Sequence, residues 1–133
     1  MKKQIFRILM SALALVLLAV PAKAVQLTER NKQFLAAYEK VHHALASDDL
    51  DAAKAAAGEI GSERAELAKS NSLKDARGAF EKLSTKAKQI AAGQSGYYVM
   101  HCPMLKKGWV QTSEKVTNPY GGSDMVSCGE LTK

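Results

Sequence analysis

From residue 25 to residue 92 the chain has no proline, no cysteine and no methionine. Without proline nothing there forces a break in a helix, and the segment is rich in Ala, Glu and Lys, which favour one. Cysteine is scarce throughout, and the two present, Cys102 and Cys128, stand 26 positions apart. That spacing excludes a Cys-x-x-Cys redox pair. Long apolar runs are absent after residue 24, so nothing beyond it has the roughly 20 apolar residues that a membrane-crossing helix needs. Catalytic signatures are missing too. Gly93-Gln94-Ser95-Gly96 has the wrong spacing for a nucleophile elbow, and Tyr97 stands where its last glycine would be. Asp48-Asp49-Leu50-Asp51 lacks the glycine and the distal glutamate of a calcium loop and reads as helix capping. At 133 residues there is room for one core, which excludes a multi-domain enzyme. No enzymatic activity is expected.

What is present at the N-terminus is a charge pattern. The chain carries 19 basic and 13 acidic residues, a net charge of +6. Lys2, Lys3, Arg7 and Lys23 all fall within the first 24 positions, which contain no acid, and beyond them the charge is nearly balanced. A nucleic-acid partner is not expected from that balance. MKKQIFR is a basic opening, Ile8 to Val20 is an apolar run of 13 residues, and Ala22-Lys23-Ala24 places small residues where a signal peptidase reads them. Residues 1–24 are therefore expected to be a signal peptide cleaved after Ala24. Residues 25–133 would then be a single periplasmic domain with no membrane span.

The stretch 25–92 reads as helices. Phe34, Tyr38, Val41 and Leu45 step by four, three and four along one helical face. Ser47, Asp48 or Asp49 can cap a second helix, whose stripe is Leu50, Ala53, Ala57 and Ile60, weakened by Gly58 and Gly61. Ser72 can cap a third, with the stripe Leu73, Ala76, Phe80, Leu83, Ala87 and Ile90 and a stop at Gly93. Short polar connections between such helices predict an all-α fold, an up-and-down antiparallel bundle of three to four helices. Phe34, Tyr38, Phe80 and Leu83 are the expected core. His42 and His43 are adjacent, so they point in different directions, and no partner for metal binding is evident. Residues 93–133 read as an irregular tail. Within it Tyr97 to Cys102 can be extended, Asn118 to Gly122 form a turn, and Ser123 can cap a last helical turn.

Sulfur is concentrated in that tail. His101-Cys102-Pro103-Met104 is followed 21 residues later by Met125-Val126-Ser127-Cys128. Thiolate and thioether are soft donors, the set that selects Cu(I). Cys102 and Met104 share a face of an extended strand, and Met125 and Cys128 share a face of a helical turn. Cys102, Met104, Met125 and Cys128 are therefore candidate Cu(I) ligands, with His101 as an optional fifth. The competing reading is a Cys102–Cys128 disulfide, the commonest fate of two cysteines in a small exported domain.

The pattern HCPM-LKKG-W followed by NPYGG-xx-M-xx-CGE resembles the signature of a bacterial periplasmic domain of unknown function associated with copper. That domain is found alone behind a signal peptide or fused to membrane-fusion adaptors of heavy-metal efflux pumps. The resemblance runs from about Phe34 to Glu130 and takes in HALASDDLDAAKAAA and AFEKLS upstream. It places the family's CPM on Cys102, Pro103 and Met104, its tryptophan on Trp109, and its NPY-x-G on Asn118, Pro119, Tyr120 and Gly122. Its M-xx-CG falls on Met125, Cys128 and Gly129. The chain departs from the pattern in a shorter loop after CPM, in Gly121 where an aromatic is usual, and in Val110 where leucine is common. The resemblance implies a periplasmic copper-binding protein that buffers Cu(I) or delivers it to an efflux adaptor or another copper-handling envelope protein. Trp109 would then pack over the site and exclude water. The alternative is a disulfide-stapled helical module that docks on such an adaptor and binds no metal.

Overall fold

The computed structural model describes residues 25–132, so the signal-peptide reading of residues 1–24 lies outside the described residues. Helix α1 spans Glu29–Ala46 and is capped by Thr28, whose hydroxyl accepts the Asn31 N–H at 3.2 Å. Of the three possible caps for α2 (Leu50–Ala57), Asp49 takes the role, accepting the Ala52 N–H at 2.9 Å. The glycines that weaken this helix end it, and the chain passes through a 3-10 turn at Gly61–Arg64 into the four-residue α3, Ala65–Ala68. Ser72 caps α4 (Leu73–Ala91), and Gly93 follows in the left-handed region at φ 74°. Phe34, Tyr38, Phe80 and Leu83 are all buried. No helix among the described residues is long and apolar enough to cross a membrane.

The all-α expectation is overturned in the second half of the chain. Residues expected to be irregular form a three-stranded antiparallel sheet of β1 (Tyr98–Cys102), β2 (Lys107–Gln111) and β3 (Glu130–Leu131), ordered β2-β1-β3. The protein is therefore mixed α/β. The last helical turn is a short 3-10 segment at Ser123–Met125, and Ser123 does not cap it. Strands of five, five and two residues are too short to impress a period on the sequence. Their stability comes from the helices.

The contact between the two halves is specific. Rings of Phe34, Tyr38, Phe80, Tyr120 and Trp109 follow one another at centroid spacings of 4.7–6.2 Å, running from α1 through α4 into the sheet. Alongside runs a buried hydroxyl chain. Tyr38 Oη lies 2.7 Å from Ser84 Oγ, and Tyr120 Oη lies 2.9 Å from the same oxygen. On the outer edge of β2, the Val110 N–H donates to Tyr38 Oη at 3.2 Å, and the Gly108 carbonyl accepts from Tyr120 Oη at 3.2 Å. The Tyr120 hydroxyl is shared between Ser84 Oγ and the Gly108 carbonyl, while Tyr38 Oη accepts the Val110 N–H and meets Ser84. An edge strand that would otherwise present bare backbone groups is thus closed by one side chain of the helical half, Tyr38, and one of the tail, Tyr120. Burial pushes both phenols up, so they stay protonated and the chain stays intact. Ser84→Ala removes its central link and is expected to lower stability by about 1–3 kcal/mol in urea unfolding. Thr85→Ala, on the exposed side of α4, is expected to change little.

A second tie involves Asp48, which occupies the left-handed region at φ 58° between α1 and α2. Its carboxylate accepts the Ser123 hydroxyl and N–H at 2.5 and 3.0 Å and pairs with Arg77 of α4 at 2.5 Å. Arg77 also donates to the carbonyls of Leu45 and Pro119, both at 2.9 Å. Gly122 has φ 62° and ψ −159°, and a β-carbon there would run into the Asp48 carboxylate and the Arg77 guanidinium. Only glycine fits. The Ser123 hydroxyl and N–H, then Arg77, hold the Asp48 carboxyl down at about 2, against an ordinary 3.8. Its ionised form therefore favours the folded state. That contribution is complete above pH 3.8 and is lost as pH falls toward about 2. Thermal denaturation of the wild type should show Tm falling across this window, and Asp48→Asn should flatten that part of the curve.

Candidate functional site

Cys102 ends β1, and Pro103 opens the four-residue turn to β2, with Lys106 in the left-handed region at φ 54°. Proline at the first position of such a turn is pre-set for it. Cys128 arrives by a different route. Asn118 closes the loop from 118 to 128, its N–H bonding the Val126 carbonyl at 2.7 Å and its side-chain amide the Cys128 carbonyl at 2.8 Å. The Asn118 side-chain oxygen accepts the N–H groups of Tyr120 and Gly121 at 2.8 and 3.0 Å. Strand β3 then pairs with β1 at Met100–Leu131 and His101–Glu130, which continues to Gly129 beside Cys102. A β-carbon at Gly129 would sit 2.8 Å from the Trp109 ring, so only a bare backbone lets the chain pass this close to the tryptophan just after Cys128.

The two unbonded thiols meet at this junction and interact directly. Cys102 has no solvent-accessible surface, and Cys128 is half-buried. Burial pushes the Cys102 thiol up, yet hydrogen bonds from Cys128, the Leu105 and Met104 amides and the Asn118 side chain outweigh it and bring it below the ordinary thiol value. Cys128 moves the other way, raised mainly by its hydrogen bond to Cys102. The balance of burial and hydrogen bonds thus shifts the two thiols in opposite senses, lowering Cys102 and raising Cys128.

The remaining sequence candidates separate. Met104 sits in the turn with its amide directed at both sulfurs and its side chain 77% exposed. Met125 is half-buried at the start of the turn that leads to Cys128, and its carbonyl accepts the Cys128 N–H at 2.9 Å. His101 alternates with Cys102 along β1 and so lies on the opposite face of the sheet. The structure does not bring it to the sulfur pair. Trp109 is fully buried beneath Gly129 and donates its indole N–H to Gln111 at 2.9 Å. An open groove of about 440 Å³ between α4 and the hairpin is lined by Lys74, Arg77, Glu81, Leu105, Lys107 and Tyr120, and neither cysteine borders it.

Sequence reasoning missed two things here. Asn118 was assigned only to a turn, although its side chain both closes the loop and donates to Cys102. Glu39 went unnoticed beside His42 and His43, although it precedes them by three and four residues, the spacing that puts helical side chains together. The Glu39 carboxylate and both imidazoles lie within 4.8 Å of one another. Compared with models of protein families, with curated proteins and with solved structures, the chain matches none.

Proposed function

We propose that this protein binds Cu(I) through Cys102 and Cys128 and serves as a copper buffer or carrier in the bacterial envelope. The observation that carries the reading is that two free thiols, Cys102 at the end of β1 and Cys128 after the loop that Asn118 closes, are neighbours. Thiolate pairs suit soft monovalent ions, and the hydrogen-bond donors to Cys102 lower the cost of removing the proton that a metal displaces. Met104 is the natural third donor, because it follows Cys102 by two residues and its side chain is exposed and free to swing onto an ion. Met125 supplies a second thioether from the Cys128 side, and His101 takes no part in this reading. The resemblance to the copper-associated periplasmic domain and the leader-like residues 1–24 support the same compartment and an efflux adaptor as partner.

The adjacency of the thiols also favours the second reading, a Cys102–Cys128 disulfide that staples the tail and leaves a metal-free docking module. Thiol counting on the protein as isolated separates the two. Two free thiols that Cu(I) protects from alkylation support the copper reading, whereas a complete disulfide with no copper affinity after reduction supports the staple.

A further inference from the structure

His42 is completely buried, and its Nε2 lies 2.6 Å from the carbonyl oxygen of Thr117. A carbonyl can only accept, so Nε2 carries the proton. In the neutral ring Nδ1 is then a lone pair, and it is buried with no hydrogen-bond partner among the described residues. What faces it is Glu39 Oε2 at 3.6 Å, which is also an acceptor. Two lone pairs directed at each other in a buried setting repel, and a cation between them removes the conflict. A proton on Nδ1 would draw the carboxylate to about 2.7–2.9 Å, the length of a charge-assisted hydrogen bond. The observed 3.6 Å is longer. Ligands of a tetrahedral ion with bonds of about 2.0–2.2 Å instead stand roughly 3.3–3.6 Å apart. Glu39 Oε2 lies 3.6 Å from His42 Nδ1 and Glu39 Oε1 3.2 Å from His43 Nε2, and one ligand atom from each of the three residues falls within 4.8 Å of the others, so a small movement of the exposed His43 closes the set on one ion.

We infer that Glu39, His42 and His43 form a second metal site, one for a borderline divalent cation of the Zn(II) type. The supports expected of such a site are present. The Thr117 carbonyl fixes the His42 tautomer that offers Nδ1, as outer partners of metal-bound histidines do. Thr112 orients the carboxylate, donating its hydroxyl at 3.0 Å and its N–H at 3.3 Å to Glu39 Oε1. His43 is exposed on the solvent side, which gives an ion a way in and leaves a coordination position for water. Two imidazoles and a carboxylate without sulfur select Zn(II) or Cu(II) over Cu(I), so this site is chemically distinct from the thiol pair. It stands whether or not the thiols bind copper.

The test uses the purified full chain with Zn(II) and Co(II) as probes. One equivalent of Zn(II) should move the ring resonances of His42 and His43 together and leave those of His101 in place. Co(II) should give ligand-field bands from this site without a sulfur charge-transfer band, which separates it from binding at Cys102 and Cys128. His43→Ala changes an exposed side chain, and Glu39→Gln keeps an oxygen for Thr112. Each should weaken Zn(II) binding at the histidines by at least the roughly 10–100-fold that loss of a ligand's supporting partner costs. Histidine resonances that ignore Zn(II), or His43→Ala binding like the wild type, would overturn the assignment. So would a His42 ring that carries protons on both nitrogens at neutral pH.

Discussion

Replacing both cysteines, Cys102→Ser with Cys128→Ser, is expected to weaken Cu(I) binding by more than about a hundredfold, the upper end of what loss of a mere supporting group costs a metal site. At 1.4 kcal/mol per tenfold that is about 2.8 kcal/mol or more of binding free energy. The loss is large because both strong donors vanish together and serine oxygen is a poor ligand for a soft ion. Competition for Cu(I) against a coloured chelator, under reducing conditions, measures it. Met104→Ala should produce a smaller loss, and Met104→Ala combined with Met125→Ala a greater one, whereas His101→Ala should leave the affinity where it was, since that ring lies across the sheet. Equal affinities in the wild type and the double serine variant would end the copper reading. Dependence on His101 would mean that the tail binds metal in another arrangement.

The largest effect on stability should follow Trp109→Ala, at about 3–5 kcal/mol, the range for deleting a buried large aromatic side chain. Trp109 is fully buried, takes the face of Gly129, meets Tyr120 edge-on at a centroid distance of 6.2 Å, and hydrogen-bonds Gln111. Gln111 in turn holds the connection after β2, donating to the carbonyls of Ser113 and Lys115 at 2.5 and 2.7 Å. Removing the indole leaves a cavity where the aromatic row ends and frees the loop that delivers Cys128. Against a usual domain stability of about 5–15 kcal/mol, the loss is a third or more for most values in that range. Because Trp109 is the sole tryptophan, fluorescence is lost with it, and urea unfolding is best followed by circular dichroism. Trp109→Phe should recover part of the loss. A penalty below about 1 kcal/mol for Trp109→Ala would mean that this ring does not anchor the tail.

These two predictions meet at one junction. Cys102 belongs to β1 and Cys128 to the loop that Asn118 closes, so the thiols are neighbours only while the sheet is packed on the helices. Trp109→Ala should therefore also loosen Cu(I) binding, by freeing the loop that carries Cys128. The histidine cluster on α1 depends on the same packing through two backbone groups of the tail, the Thr117 carbonyl and the Thr112 N–H. Both candidate sites thus rest on the union of a helical half and a sheet.

How far the sequence carried can be followed residue by residue. The stripe Phe34, Tyr38, Val41 and Leu45, the Ser72 cap and the stop at Gly93 all act locally, within one or two helical turns. Local rules read them correctly, and of the three open caps for α2 the structure selects Asp49. The concentration of sulfur in the tail was equally plain, and Cys102 and Cys128 do come together. Three things were hidden. Strand β2 has no turn signal of its own strength and is held at its outer edge by Tyr38, 72 residues before Val110. Asp48 looked like one more capping acid, yet it binds Ser123, 75 residues away. His42 looked unpartnered until Thr117, also 75 residues away, fixed its tautomer and left Nδ1 facing Glu39.

By itself the sequence determined the helical character of residues 25–92, the buried stripes of α1 and α4, the start of α4 and the stock of soft donors, because each depends on neighbours within a few residues along the chain. The tertiary structure alone decided that the tail is a sheet, that His101 turns away from the cysteines, and that Glu39 and His42 confront each other. Those outcomes depend on hydrogen bonds and contacts between groups far apart in the chain. A backbone edge or a buried lone pair acquires its partner only when the two halves dock.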